Sequence, residues 1–127
     1  MEVVGFDHVV LIVADVERAI AWYRDVLGLT TERWEEWQRD EAPFVSVRID
    51  ATTVIDLVEG DVTGRNVDHF CLVVAPETDL AVWARAASIP IIEGPARRWG
   101  AQGWAVSIYV HDPDGHVVEL RTYPTGA

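Results

Sequence analysis

Short apolar runs rich in β-branched residues alternate along the chain with amphipathic stretches. Gly5 to Ala14 (GFDHVVLIVA) is one such run, bounded by Gly5 and Asp15, and predicts a buried strand. Asp15 can then cap a helix in which Val16, Ile20, Tyr23 and Leu27 recur at intervals of three and four, with Gly28 placed to end it. Residues 29–37 (LTTERWEEW) alternate as a strand does, QRDEAP follows as a loop, and 44–50 (FVSVRID) and 52–58 (TTVIDLV) predict two further strands. The first half therefore reads βαβββ.

The same order restarts at 67–75 (VDHFCLVVA), a second buried-strand pattern, followed by a helix from Glu77 to Ala87 with Leu80, Trp83 and Ala84 inward. After IPIIEG at 89–94 comes a loop rich in glycine, arginine and tryptophan. Then follow a strand from Trp104 to Val110, the turn DPDG at 112–115, and HVVELRTY as the last strand. A shift of 61 positions lays FDHVVLIVA on VDHFCLVVA, Trp22 on Trp83 and His8 on His69. A shift of 63 near the ends of the halves places Asp56 opposite Glu119, the difference of two being an ordinary loop insertion. One 127-residue domain built from two modules, at 5–60 and 66–123, is expected.

Composition narrows what such a domain does. Half of the residues are hydrophobic and 24% are charged, which suits a folded globule. The formal charge of -11 sets repulsion against nucleic acid and anionic membrane surfaces, so neither is an expected partner. All ten basic residues are arginine, which excludes lysine Schiff-base chemistry. The single Cys71 allows no intrachain disulfide, and Met1-Glu2-Val3-Val4 lacks the basic and long apolar regions of a signal peptide, so a cytoplasmic protein is expected.

DHVVLIVAD with its following helix and WYRDVLGL, the Asp68-His69 pair, and YVHDPDGHVVEL together resemble the vicinal oxygen chelate superfamily from Phe6 to Tyr123. That group takes in glyoxalase I, extradiol dioxygenases, fosfomycin-inactivating enzymes and bleomycin-binding proteins. IIEGPARRWGAQGW before the turn looks most like the small glyoxalase-domain members. The resemblance implies an α+β fold of two tandem βαβββ modules whose sheets curve into a half-open barrel around a divalent metal. It also implies a homodimer, in which subunits pair over exposed sheet edges and the site is either shared between them or self-contained.

His8 and His69 occupy equivalent positions in the repeat, so pseudo-twofold packing would aim both imidazoles at one central space. Read singly, each suits a core histidine with a satisfied hydrogen bond; read as a pair with Glu119, they suit metal ligands. Glu119 stands between Val118 and Leu120, where a buried carboxylate needs a cation or a salt bridge. Its other readings are a solvent-facing residue or a partner of Arg48 or Arg121. Two histidines and one carboxylate leave positions open for substrate on Fe, Mn, Ni, Co or Zn. By the resemblance, Asp56 fills the slot of a fourth, glutamate ligand; one methylene shorter, it serves equally as a water-bridged ligand or a general base. Tyr109 lies ten residues before Glu119 on the other strand of a hairpin, where relatives often place a substrate-contacting tyrosine; a packing role in a half-exposed strand suits it equally.

The stretch from Arg97 to Trp104 suits either a loop closing over a planar or anionic small molecule or a solvated loop. Trp34 and Trp37 suit a pocket wall or a dimer contact. Cys71 reads as a small buried hydrophobe, and His111 and His116 as turn-edge residues outside the metal site. The expected function is a metal-dependent lyase or isomerase of the glyoxalase type acting on a small molecule. The alternatives are an extradiol-type dioxygenase, a fosfomycin-type resistance enzyme, and a metal-free binding protein like those that confer bleomycin resistance.

Overall fold

The computed structural model describes residues 1–26, 28–111 and 116–125. Leu27 and the DPDG turn therefore lie outside the described residues. The elements are β1 (Val3–Val13), α1 (Val16–Asp25), β2 (Thr30–Glu32), α2 (Trp34–Gln38), β3 (Val45–Asp50) and β4 (Thr53–Glu59), then β5 (Val67–Val74), α3 (Leu80–Ala86), β6 (Glu93–Gly100), β7 (Gly103–His111) and β8 (Val117–Thr122). Two compact units result: His8–Asp68 in one, and Met1–Asp7 with the chain from His69 onward in the other. Each holds a βαβββ module. Among the described residues no helix is long and apolar enough to cross a membrane.

In the first module, β1 runs parallel to β4, which pairs antiparallel with β3, and β3 with β2. Asp15 caps α1 by accepting from Arg18 N at 3.0 Å, and Gly28, at φ 71°, accepts the left-handed turn that stops the helix. Val16, Ile20, Val45, Val47 and Leu57 form the module's core. The strand expected over 29–37 stops after Glu32, because Arg33 turns left-handed at φ 68° and starts a short helix. Trp34 and Trp37, one helical turn apart, stack at 5.6 Å and pack on this core. They are partly buried against the interior of the first module.

The second module repeats the plan: β5 parallel to β8, β8 antiparallel to β7, and β7 to β6. Its core is Val74, Leu80, Ala84, Ile108, Val110 and Leu120, with Trp83 against it. The helix expected from Glu77 begins at Leu80 instead, because Asp79 accepts from Val82 N at 3.1 Å and fixes the first turn there. The expected loop over 97–104 is also corrected: 93–100 is strand, joined to β7 by a tight turn at Ala101 and Gln102. Trp99 pairs with Trp104 across this hairpin, Arg97 lies 4.5 Å from the Trp104 ring, and Arg98 pairs with Glu93. These cross-strand contacts engage the arginines and tryptophans within the hairpin.

The parallel ladders carry the repeat in their registers. Val10 pairs with Asp56 in the first module and Cys71 with Glu119 in the second, so the two carboxylates are equivalent as the shifts of 61 and 63 require.

Candidate metal-binding residues

In the second module, His69 on β5 and Glu119 on β8 come together: His69 Nε2 stands 3.0 Å from Glu119 Oε1. Glu119 is 1% exposed, which removes the solvent-facing reading. Its second oxygen, Oε2, accepts from Ser107 Oγ at 2.7 Å and from Arg121 Nη2 at 2.7 Å. The salt bridge to Arg121 is thus real, and it occupies one carboxylate oxygen while the other faces the imidazole.

Tyr109 is paired with Glu119 across the β7–β8 ladder, and its ring meets the His69 ring edge-on at 5.5 Å. Burial, reinforced by the charge of Glu119, pushes the Tyr109 hydroxyl well above the ordinary phenol value of 10.0. It is therefore a proton donor in hydrogen bonds at neutral pH, not a base.

Arg121 is wholly buried. Its Nη1 donates to Tyr123 Oη at 3.0 Å, and its Nη2 also reaches Trp99 O at 3.3 Å. Tyr123 in turn donates to Asp7 Oδ1 at 2.5 Å, while Asp7 Oδ2 accepts from Ala101 N at 3.1 Å. A Cβ at position 100 would overlap the guanidinium, so the cluster needs glycine there. Two buried carboxylates, Asp7 and Glu119, share this one guanidinium.

The first module holds the equivalent trio with shorter reach. Ser46 Oγ donates to Asp56 Oδ1 at 2.6 Å, and Asp56 Oδ2 lies 3.8 Å from His8 Nε2, all three residues being buried. The missing methylene of aspartate accounts for the wider gap. Cys71 is buried, as expected of a small hydrophobe, and His111 and His116 are exposed. The two serines were not singled out by sequence reasoning, although the shift of 61 lays Ser46 on Ser107. Arg121 was in view as a partner for Glu119, whereas Tyr123 and Asp7 were not singled out, although the shift of 61 lays Asp7 on Asp68.

The donor chemistry fits a divalent ion. Two ligands about 2.1 Å from one ion and at right angles stand about 3.0 Å apart, which matches the His69–Glu119 separation as well as a hydrogen bond does. A ligating carboxylate whose other oxygen is hydrogen-bonded is the usual arrangement at such sites.

The model of the Glyoxalase/Bleomycin resistance protein/Dioxygenase superfamily matches residues 5–120. A virulence protein of Salmonella typhimurium is 31% identical over 120 residues, covering 92% of this chain and 83% of that protein. A glyoxalase domain-containing protein of Mycosarcoma maydis is 29% identical, covering 97% of this chain and 70% of its own length. Among solved structures, methylmalonyl-CoA epimerase from Mycobacterium tuberculosis superposes with a TM-score of 0.67 at 22% identity, covering 98% of this chain and 90% of that one. At that identity the likeness is one of fold.

Proposed function

The chain belongs to the glyoxalase/bleomycin resistance protein/dioxygenase superfamily, and from that premise we propose that it is a metal-dependent enzyme of the glyoxalase type. In this reading it works in the cytoplasm as a homodimer and carries out lyase or isomerase chemistry on a small oxygen-bearing substrate. The proposed ligands are His69 and Glu119 from the second module and His8 from the first, in the same subunit or its partner. Fe, Mn, Ni, Co and Zn all suit two imidazoles and a carboxylate. A divalent ion held by these groups supplies Lewis-acid stabilisation to an enolate or oxyanion.

The chain's own residues divide the remaining work. Glu119 presents Oε1 beside His69 because Ser107 and Arg121 hold Oε2. Tyr109, beside the His69 ring and protonated at neutral pH, donates a hydrogen bond to a substrate oxygen. Asp56, oriented by Ser46, accepts the substrate proton. The open β6 edge of the second module is the kind of strand that subunit pairing covers.

The observation that carries the reading is a buried carboxylate with one oxygen clamped by two donors and the other turned to a histidine nitrogen at 3.0 Å. Metal analysis of protein purified without added ions tests it, alongside His8→Ala and His69→Ala. We expect stoichiometric transition metal in the parent and little in either variant, with the fold retained, because an open catalytic site contributes less to folding than a closed structural one. Metal-free parent protein, or unchanged content in both variants, overturns it. One observation favours a second reading, a metal-free small-molecule binder: Arg121 already supplies Glu119 with a cation.

A further inference from the structure

Building on the reading of Glu119 as a ligand, we propose that Arg121, anchored through Tyr123 to Asp7, is the positioning residue that turns the Glu119 carboxylate toward His69. A glutamate side chain rotates about three bonds, and a hydroxyl donor such as Ser107, which itself rotates, does not by itself fix the carboxylate plane. A second donor on the same oxygen, Arg121 Nη2 at 2.7 Å, removes the freedom and fixes which oxygen faces the imidazole.

The guanidinium can act as a clamp because it is itself immobile. Its Nη1 is bonded to Tyr123, its Nη2 also reaches the carbonyl of Trp99, and Tyr123 is tied to Asp7, which the Ala101 amide holds. Gly100 is the floor on which it lies. A wholly buried arginine is costly to desolvate, and a planar fork that bridges several acceptors at fixed angles is what lysine at the same place would lack. Arg121 stands two residues after Glu119 on β8, so both side chains leave the same face of the strand.

The first module serves as an internal comparison. The shift of 63 places Val58 where the second module has Arg121, and there the carboxylate of Asp56 stands 3.8 Å from its histidine, not 3.0 Å. The shorter side chain accounts for the gap there, and Val58 supplies no guanidinium.

The test uses Arg121→Met, Arg121→Lys and Tyr123→Phe, the last keeping every charge in place should the first fail to fold. In metal-free protein, nitrogen-15 NMR of the imidazoles reads the His69 tautomer. The parent should hold the form with the proton on Nε2, donated to Glu119, and each variant should show a mixture. Cobalt(II) titration by calorimetry and visible spectroscopy should give an affinity loss of about tenfold or more in both Arg121 variants and a smaller loss in Tyr123→Phe, with shifted ligand-field bands. Variants that melt earlier but keep the parent's tautomer, bands and affinity would overturn the proposal. A parent that binds no cobalt while the tautomer shifts as described supports the clamp and removes ligation instead.

Discussion

Replacing Glu119 by glutamine changes one atom and very little volume, and the structure states what that atom does. Glutamine can keep its carbonyl oxygen toward Ser107 and Arg121, so both hydrogen bonds survive as neutral ones. A hydrogen bond to a charged group contributes about 1 kcal/mol more than a neutral one, so two of them put the expected loss near 2 kcal/mol. For a domain of this size that is a fall in Tm of about 8 °C. The amide would direct its nitrogen at His69 in place of a carboxylate oxygen, and metal affinity should drop at least tenfold. Thermal melting and calorimetric titration with Zn, Mn, Ni and Co read the two effects separately. Equal metal affinities in the two proteins would refute the ligand reading, and an unchanged Tm would refute the buried charge-assisted contacts.

Tyr109 and Tyr123 are both held above the ordinary phenol value, chiefly by burial, with Asp7 adding to it at Tyr123. The unfolded chain then ionises near pH 10 while these two folded phenols do not, so stability should fall as pH rises past roughly 10. Tyr109→Phe and Tyr123→Phe should each leave the phenolate absorbance gained between roughly pH 9 and 11 at the parent's amplitude, and a reduced amplitude in either would contradict the burial argument. Asp15→Ala and Asp79→Ala each remove a helix cap and should cost about 1 kcal/mol in denaturant melts, against near-zero effects if the caps are idle. Light scattering at micromolar concentration should report a dimer, and a 14.2 kDa species alone would count against the proposed pairing.

The strands with apolar, β-branched runs were legible in the sequence because one pattern dominates them, and the repeat located His8, His69, Asp56 and Glu119 without any structure. Two elements misled the pattern. Residues 29–37 contain both a period of two and a Trp34–Trp37 spacing of three, and core packing of the tryptophans decides for the helix. The polar RRWG stretch looks like a loop, yet an exposed edge strand needs no apolar face of its own when its partner β7 supplies one. Of the clamp, the pairing of Glu119 with Arg121 was in view, and its anchors were hidden for a different reason. Glu119, Leu120 and Arg121 are buried in succession, so both faces of β8 are covered and alternation along it does not mark the charged face. The partners of Arg121 are also scattered from Asp7 to Tyr123.

That scatter has a consequence in time. Asp7 leaves the ribosome well before the amide, hydroxyl and guanidinium that receive its carboxylate, which belong to residues 101, 123 and 121. At roughly 5–20 residues per second, the opening strand waits on the order of ten seconds for its partners. His8–Asp68 is available to fold in that interval, whereas the second unit closes only once Tyr123 has been made. A nascent chain that has emerged as far as residue 95 should therefore show a protease-resistant first unit and a cleavable start, and one that has emerged past Tyr123 should protect both.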